Sequence, residues 1–308
     1  MRALVDELRA SVGREDAPVL VDQEGGRVAR LQPPEWRRYP AAGEIAALPD
    51  PLALEAARLG ARLIATDLAE IGITVDAAPV LDLPVPDSDP VIGDRAFGDE
   101  PVRVARLAGA FCEGLLAGGV LPVIKHIPGH GRARVDSHRA CPRVEAVRAV
   151  LAHTDFAPFR ALSAMPWAMP WAMTAHIVFA AIDDAAPATF SRRVIDTIIR
   201  GEIGFDGVLV SDDIAMGALD GTPGERTRRA LDAGCDLVLH CNGVMAEMAE
   251  IVDAARPISP AAGERIARGE IRRLRPAEDF DRRAAELRFA ELMAGTAGPA
   301  PAQIQSRK

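Results

Sequence analysis

The chain has 308 residues, 49% of them hydrophobic and 26% charged, and its 36 Lys and Arg against 44 Asp and Glu leave a net charge of −8. That composition suits a globular protein able to bury a sizeable core and excludes chain-wide disorder. With no basic block to track a phosphate backbone, nucleic acid is not expected as a partner. Four cysteines, Cys112, Cys141, Cys235 and Cys241, lack CxxC spacing and are too few for a disulfide framework, so reduced thiols are expected.

The N-terminus MRALVDELRA places apolar Met1, Leu4, Val5 and Leu8 at helical spacing, which predicts an amphipathic helix with no capping residue ahead of it. It carries charge throughout and has no apolar signal core, from which a cytoplasmic location is expected. Short Val-, Ile- and Leu-rich runs then recur, each ending in a polar residue: PVLVDQEGG (18–26), ITVDAAPVLDL (73–83), VLPVIKHIPGHG (120–131), AMTAHIVF (172–179), GVLVSDDIAMG (207–217) and CDLVLHCNG (235–243). These predict six strands.

Helical patterns lie between them. One has Asp50 as N-cap, Pro51 in the first turn, Leu52, Ala56, Leu59 and Leu63 on one face and Gly72 beyond its end. The next has Asp99 as cap, Pro101, a stripe of Val104, Leu107, Ala108, Phe111 and Leu115, and a Gly118-Gly119 stop. Residues 161–182 contain no charged side chain, but Pro166 and Pro170 break any helix there, so no membrane span or membrane partner is expected. From about residue 263 to 292 the chain is charged and helical, which predicts one domain over 1–295 and a flexible tail over 296–308.

Strands apolar on both faces, alternating with helices, imply a parallel sheet covered by helices. Nearly every strand end carries a reactive side chain: Asp22, Asp76 or Asp82, Lys125 with His126, His176, Asp212 with Asp213, and His240 with Asn242. An open doubly wound sheet gathers such groups at one switch point, whereas a (β/α)8 TIM-type barrel spreads them over many strands, so the barrel is favoured. Neither GxGxxG nor GxxxxGK[ST] follows a strand, so no nucleotide site is supported.

The densest run, KHIPGHGRARVDSH (125–138), ends one strand and opens a loop made pliable by Gly129 and Gly131. Asp136 and His138, two apart, share a face of an extended backbone, where the carboxylate can orient the imidazole for acid/base work. A solvated polar loop and a metal site are the alternatives, although H-x3-H-x7-H matches no helical ligand pair. In GVLVSDDIAMG, Asp212 and Asp213 point to opposite faces of their strand, one to the barrel mouth and one to the helices. A carboxylate at a barrel mouth opposite a mobile acid is the arrangement of a retaining glycoside hydrolase. A histidine can supply that acid at neutral pH without a second negative charge. VDQEGGRVARL adds Asp22, whose carboxylate can accept hydrogen bonds from sugar hydroxyls, and Arg27 and Arg30 after a Gly-Gly turn.

The ordered set DQEGGRVAR, GDRAFG, KHIPGHG with VDSH, MTAHI and SDD resembles the family 3 glycoside hydrolases, and within them the bacterial β-N-acetylhexosaminidases of peptidoglycan recycling; the resemblance runs to about residue 245. It implies that Asp212 is the nucleophile, that His138 is the acid/base with Asp136 as its partner, and that Asp22, Arg30, Arg95, Lys125 and His126 bind the sugar. It further implies a monomeric, metal-free and cofactor-free exo-β-N-acetylglucosaminidase acting with retention on a small-molecule muropeptide substrate. A phosphorylase and a non-catalytic sugar-binding barrel are the competing functions. Two departures from the family pattern stand out. Residues 164–171 duplicate Ala-Met-Pro-Trp, which is expected to lengthen a loop at the bottom of the barrel and leave Trp167 and Trp171 without a sugar-stacking role. The chain also begins in the helix that relatives place after a first strand, so a barrel lacking that strand is expected, completed by upstream sequence, another element or a partner chain.

Overall fold

The computed structural model describes residues 1–165, 170–275 and 279–294. The expected tail, 296–308, and Pro166 to Met169 of the duplication lie outside the described residues. The main sheet holds Leu20–Val21 (β1), Val75–Asp76 (β2), Leu121–Ile127 (β3), Trp171–Thr174 (β4), Val208–Asp213 (β5) and Leu237–Leu239 (β6), side by side in chain order. Every neighbouring pair is parallel. Sequential order with no reversal is the winding of a (β/α) barrel, since a doubly wound sheet turns back at a switch point. Each of the six runs read from the sequence supplies one strand of this sheet. β1 and β6 are the two ends of the sheet, and their side chains are only half-buried.

Strand parity determines what reaches the mouth. Val75, Leu121, Val123, Trp171, Met173, Val208 and Val210 pack together as one inner cluster, with Leu20, Leu237 and Leu239 against it. Ile124, Ala172 and Leu209, at the alternate positions, join the larger cluster under the helices. Side chains alternate with period two, so Asp22, Lys125 and Asp212 continue the inner rows past the last apolar layer and emerge together. Asp76 has the opposite parity and is fully buried, its Oδ1 accepting the Gln23 amide at 3.0 Å. Trp171, expected to be no stacking platform, is buried in the inner cluster at the start of β4.

The helices Asp50–Glu70 and Pro101–Ala117 pack closely on each other. The stripe of the second is buried as expected, but in the first only Ala56 and Leu63 are buried, Leu59 is half-buried and Leu52 is exposed; both caps also differ from the sequence reading. Pro49 is the first N-cap, and Asp50 lies inside the helix, where its carboxylate holds Arg103 (2.7 Å) and Arg106 (2.9 Å) of the second. That second helix is capped by Glu100, not Asp99; the Glu100 carboxylate accepts the amides of Val102 and Arg103 at 2.9 and 2.6 Å. The N-terminal helix Arg2–Ser11 forms, yet only Val5 of its predicted stripe is buried; Met1, Leu4 and Leu8 are exposed. Among the described residues, no helix is long and apolar enough to cross a membrane.

Candidate active site

The strand ends and the loops after them enclose a pocket of about 210 Å³. Its walls include Asp22, Arg30, Arg95, Lys125, His126, His138 and Asp212, so the structure brings together seven of the eight residues singled out from the sequence. The eighth, Asp136, stands directly behind His138.

The floor is an ion-pair cluster that the sequence reading did not contain. Lys125, only 2% exposed, donates to Asp22 Oδ1 (3.0 Å) and to Glu24 Oε1 (2.6 Å). Glu24 also receives the Arg95 guanidinium as a two-pronged pair at 2.8 and 2.9 Å. Burial is the largest influence on the Glu24 carboxyl and pushes it up, but Lys125 and Arg95 together outweigh burial and hold it at about 2. Asp22 Oδ2 meets Arg30 at 3.4 Å near the rim. Arg27, unassigned in the sequence reading, braces the wall by binding Asp94 (2.9 Å) and the Val91 carbonyl (2.7 Å) in the loop that carries Arg95.

Asp212, with its side chain 17% exposed, ends an inner row of β5. Burial would raise its carboxyl, yet the charges of His126 and His176, helped by the Asp213 amide and Lys125, bring it down to about 2. It is therefore an ionised carboxylate across the neutral range. His126 Nε2 faces it at 3.9 Å. The pairing register of β3 with β4 slips between Lys125 and Ile127, so strict alternation fails there and both Lys125 and His126 line the pocket. His126 is aimed by Asp82, fully buried, whose Oδ2 lies 2.7 Å from Nδ1 while Oδ1 accepts the His126 and His130 amides at 3.2 and 2.6 Å. Sequence reasoning noted Asp82 as a strand-end carboxylate without assigning it; the VLDL run, with a carboxylate inside an apolar stretch, was the available signal.

Asp213 does not face the helices as the parity argument expected. Its Oδ1 accepts the Ala215 and Cys241 amides at 2.9 and 3.2 Å, tying β5 to the loop after β6. His176, fully buried, supports the same segment through Nε2 to the Asp213 carbonyl (3.0 Å) and Nδ1 to Thr189 (2.7 Å). Burial lowers its affinity for a proton, against the opposing pull of the Asp212 carboxylate. His240 lies 3.9 Å from Asp213 Oδ1 and 3.5 Å from Glu247, beside this loop.

Asp136 and His138 do pair, but through a turn and not along an extended segment. Asp136 Oδ1 accepts both the His138 amide (2.9 Å) and Nδ1 (2.7 Å), an Asx-type turn that leaves Nε2 for the pocket. The His138 ring is 62% exposed. The glycine before this loop fixes its base instead of loosening it: a Cβ on Gly131 would stand 2.0 Å from the Leu83 carbonyl oxygen, so only glycine allows this backbone approach. His130, buried beneath, holds Ser137 Oγ at 3.0 Å through Nε2. Burial, with His126 adjacent, drops His130 to about 4. No group of side chains suited to a metal is found among the described residues.

Residues 3–268 match the family model described as the glycosyl hydrolase family 3 N terminal domain. The chain belongs to glycosyl hydrolase family 3. A β-hexosaminidase of Alkalilimnicola ehrlichii is 41% identical over 247 residues, covering 79% of this chain and 69% of its own length. One from Chromobacterium violaceum is 38% identical over 300 residues, covering 96% and 82%. Among solved structures, NagZ from Neisseria gonorrhoeae in complex with N-trifluoroacetyl-D-glucosamine aligns with a TM-score of 0.82 at 34% identity, over 95% of this chain and 86% of that one. A family 3 β-N-acetylglucosaminidase from Paenibacillus aligns at 0.76 and 33% identity, over 100% and 56%. This family 3 protein is a glycoside hydrolase of the β-N-acetylhexosaminidase kind, as the motif set implies.

Proposed function

We propose that this family 3 hydrolase removes terminal β-linked N-acetylglucosamine from peptidoglycan fragments, with retention, in cytoplasmic cell-wall recycling. The observation that carries the reading is the pairing of two groups around one small pocket. Asp212 is a carboxylate kept ionised by His126 and His176. His138 presents a free Nε2 behind which Asp136 fixes the tautomer.

In the first step Asp212 attacks the anomeric carbon while His138, protonated, gives its proton to the leaving oxygen, and the sugar is left on Asp212 as an ester. In the second step neutral His138 takes a proton from water as the water oxygen displaces Asp212, regenerating both groups. Asp22, Arg30, Arg95, Lys125 and His126 surround the position of the sugar, where their charged donors and acceptors match hydroxyls. The pocket's small size supports exo action on one terminal residue. The solved relatives support that sugar: the gonococcal NagZ is in complex with N-trifluoroacetyl-D-glucosamine, and the Paenibacillus protein is a β-N-acetylglucosaminidase. Four free cysteines are in keeping with a reducing compartment. The active unit is taken as a monomer working without nucleic acid or membrane.

A panel of 4-nitrophenyl sugars tests the sugar assignment, and hydrolysis of a glucoside in preference to the N-acetylglucosaminide would overturn it. Incubation with a fluorinated N-acetylglucosaminyl fluoride that traps the ester should label the peptide bearing Asp212; label on another residue would refute the nucleophile. Release of sugar 1-phosphate in phosphate buffer would favour the phosphorylase, for which the neutral or cationic His138, tolerant of an anionic acceptor, is the supporting observation.

A further inference from the structure

The loop that carries His138 is tethered by the turn that follows Asp212. The Gly217 amide donates to the His138 carbonyl (3.1 Å) and the next amide, Ala218, donates to the Ser137 carbonyl (3.0 Å). These are two consecutive main-chain bonds on the two residues that end the Asp136-Ser137-His138 turn. Contact is close enough that a Cβ on Gly217 would lie 2.8 Å from the His138 oxygen and 2.9 Å from the Arg139 oxygen. Both are backbone atoms, which cannot swing aside as a flexible side chain could.

The turn itself is firmly held. Ile214 and Leu219 are buried with Ile251, the Met216 amide bonds the Asp213 carbonyl at 3.1 Å, and the Arg226 guanidinium donates to the Ile214 carbonyl at 2.7 Å. The His138 imidazole, by contrast, is largely exposed and bonds to Asp136 of its own loop. Its position therefore derives from the backbone tethers and from Ser137 on His130.

We propose that the 217–218 turn is the seat of the His138 loop and that Gly217 is a positioning residue, absent a side chain so that the loop can dock beside the strand end bearing Asp212. One continuous segment then sets both the attacking carboxylate and the distance from which the proton arrives. The inference rests on the acid/base assignment of His138. An added methyl must open these approaches by about 0.5 Å to reach ordinary contact, and since a 1 Å misplacement of a reacting group costs about 10²-fold, a loss of roughly 10-fold is expected.

The test is kcat/KM for wild type, Gly217→Ala, His138→Ala and the double variant on aryl N-acetylglucosaminides of falling leaving-group acidity and on an N-acetylglucosaminyl disaccharide. A good leaving group departs without a proton, so a loop defect leaves that substrate alone. Gly217→Ala should lose roughly 10-fold on the disaccharide and less than about 3-fold on the 2,4-dinitrophenyl glycoside, which also reports an intact fold and nucleophile. The double variant should be no worse than His138→Ala alone, because both remove one contribution. Equal losses across the series for Gly217→Ala, or additive losses in the double variant, overturn the seat. A flat series for His138→Ala instead overturns the acid/base assignment beneath it. If Gly217→Ala does not fold, Ser137→Ala cuts the tether to His130 without adding atoms; a selective loss on poor leaving groups supports the seat, and a wild-type profile overturns it.

Discussion

Glu24→Gln removes one negative charge from beneath Lys125 and Arg95 while keeping the side chain's shape. In the wild type, Glu24 is nearly buried and bonds both cations. Its carboxyl falls from 4.5 to about 2 in the fold, and at about 1.4 kcal/mol per unit that depression corresponds to roughly 3 kcal/mol of stabilisation at neutral pH. The same size follows from the roughly 3–5 kcal/mol lost when one partner of a buried ion pair is removed and the other stays charged. Because the folded value is depressed, the contribution is complete above the unfolded carboxyl value and disappears as pH falls through about 2. Urea unfolding of both proteins at several pH values measures it. The variant should be weaker by about 3 kcal/mol at pH 7, and the gap should close as pH falls from about 5 towards 2. A gap below about 1 kcal/mol at pH 7, or one that does not narrow in acid, would refute the account of the cluster as a Glu24-centred network. KM should rise as well, since Lys125 and Arg95 lose the group that aims them.

The other predictions concern the buried carboxylates and the nucleophile. Asp76 is fully buried with Oδ2 unpartnered, and burial first, with Asp22 and Glu24 adding to it, pushes its carboxyl well above the usual range. A raised folded value means stability lost as pH rises above the unfolded carboxyl value, so Asp76→Asn should gain on wild type between pH 4 and 7 by up to about 1.4 kcal/mol per unit; thermal unfolding against pH checks it, and a constant difference refutes it. Asp82→Asn should free the His126 tautomer and lower kcat/KM by roughly 10–100-fold, the range for loss of a partner that orients a functional group, and an unchanged rate on every substrate would remove Asp82 from the site. With Asp212 ionised down to about 2, the nucleophile contributes no acidic limb to activity between pH 4 and 8. kcat/KM on a 2,4-dinitrophenyl glycoside, whose leaving group needs no proton, should therefore show no acidic limb over that range, and a limb there would contradict the reasoning.

Strand identity and the main site residues were legible in sequence because they depend on local pattern. Six apolar runs each gave one strand, and inner-face parity along 121, 123 and 125 or 208, 210 and 212 was enough to deliver Lys125 and Asp212 to a common mouth. The chemistry of the residues pointed to Asp22 and the Asp136–His138 pair, and the family resemblance added Arg95 and His126. What parity could not foresee were its local failures: the register slip that turns His126 into the pocket, and the loop ties that draw Asp213 to the Cys241 amide. Helix caps moved by one residue because Pro49 and Glu100 present acceptors or geometry that only the assembled termini define. Glu24, Asp82 and Gly217 stayed silent for a different reason. Each owes its role to partners far along the chain: Glu24 to Arg95 and Lys125, Asp82 to His126 and His130, and Gly217 to the carbonyl of His138. A single carboxylate or glycine in a sequence carries no record of the partner that folding will set against it. Tertiary structure alone decided that the loop carrying His138 and the turn after Asp212 lean on one another, because that contact is made by backbone groups, which every residue type shares.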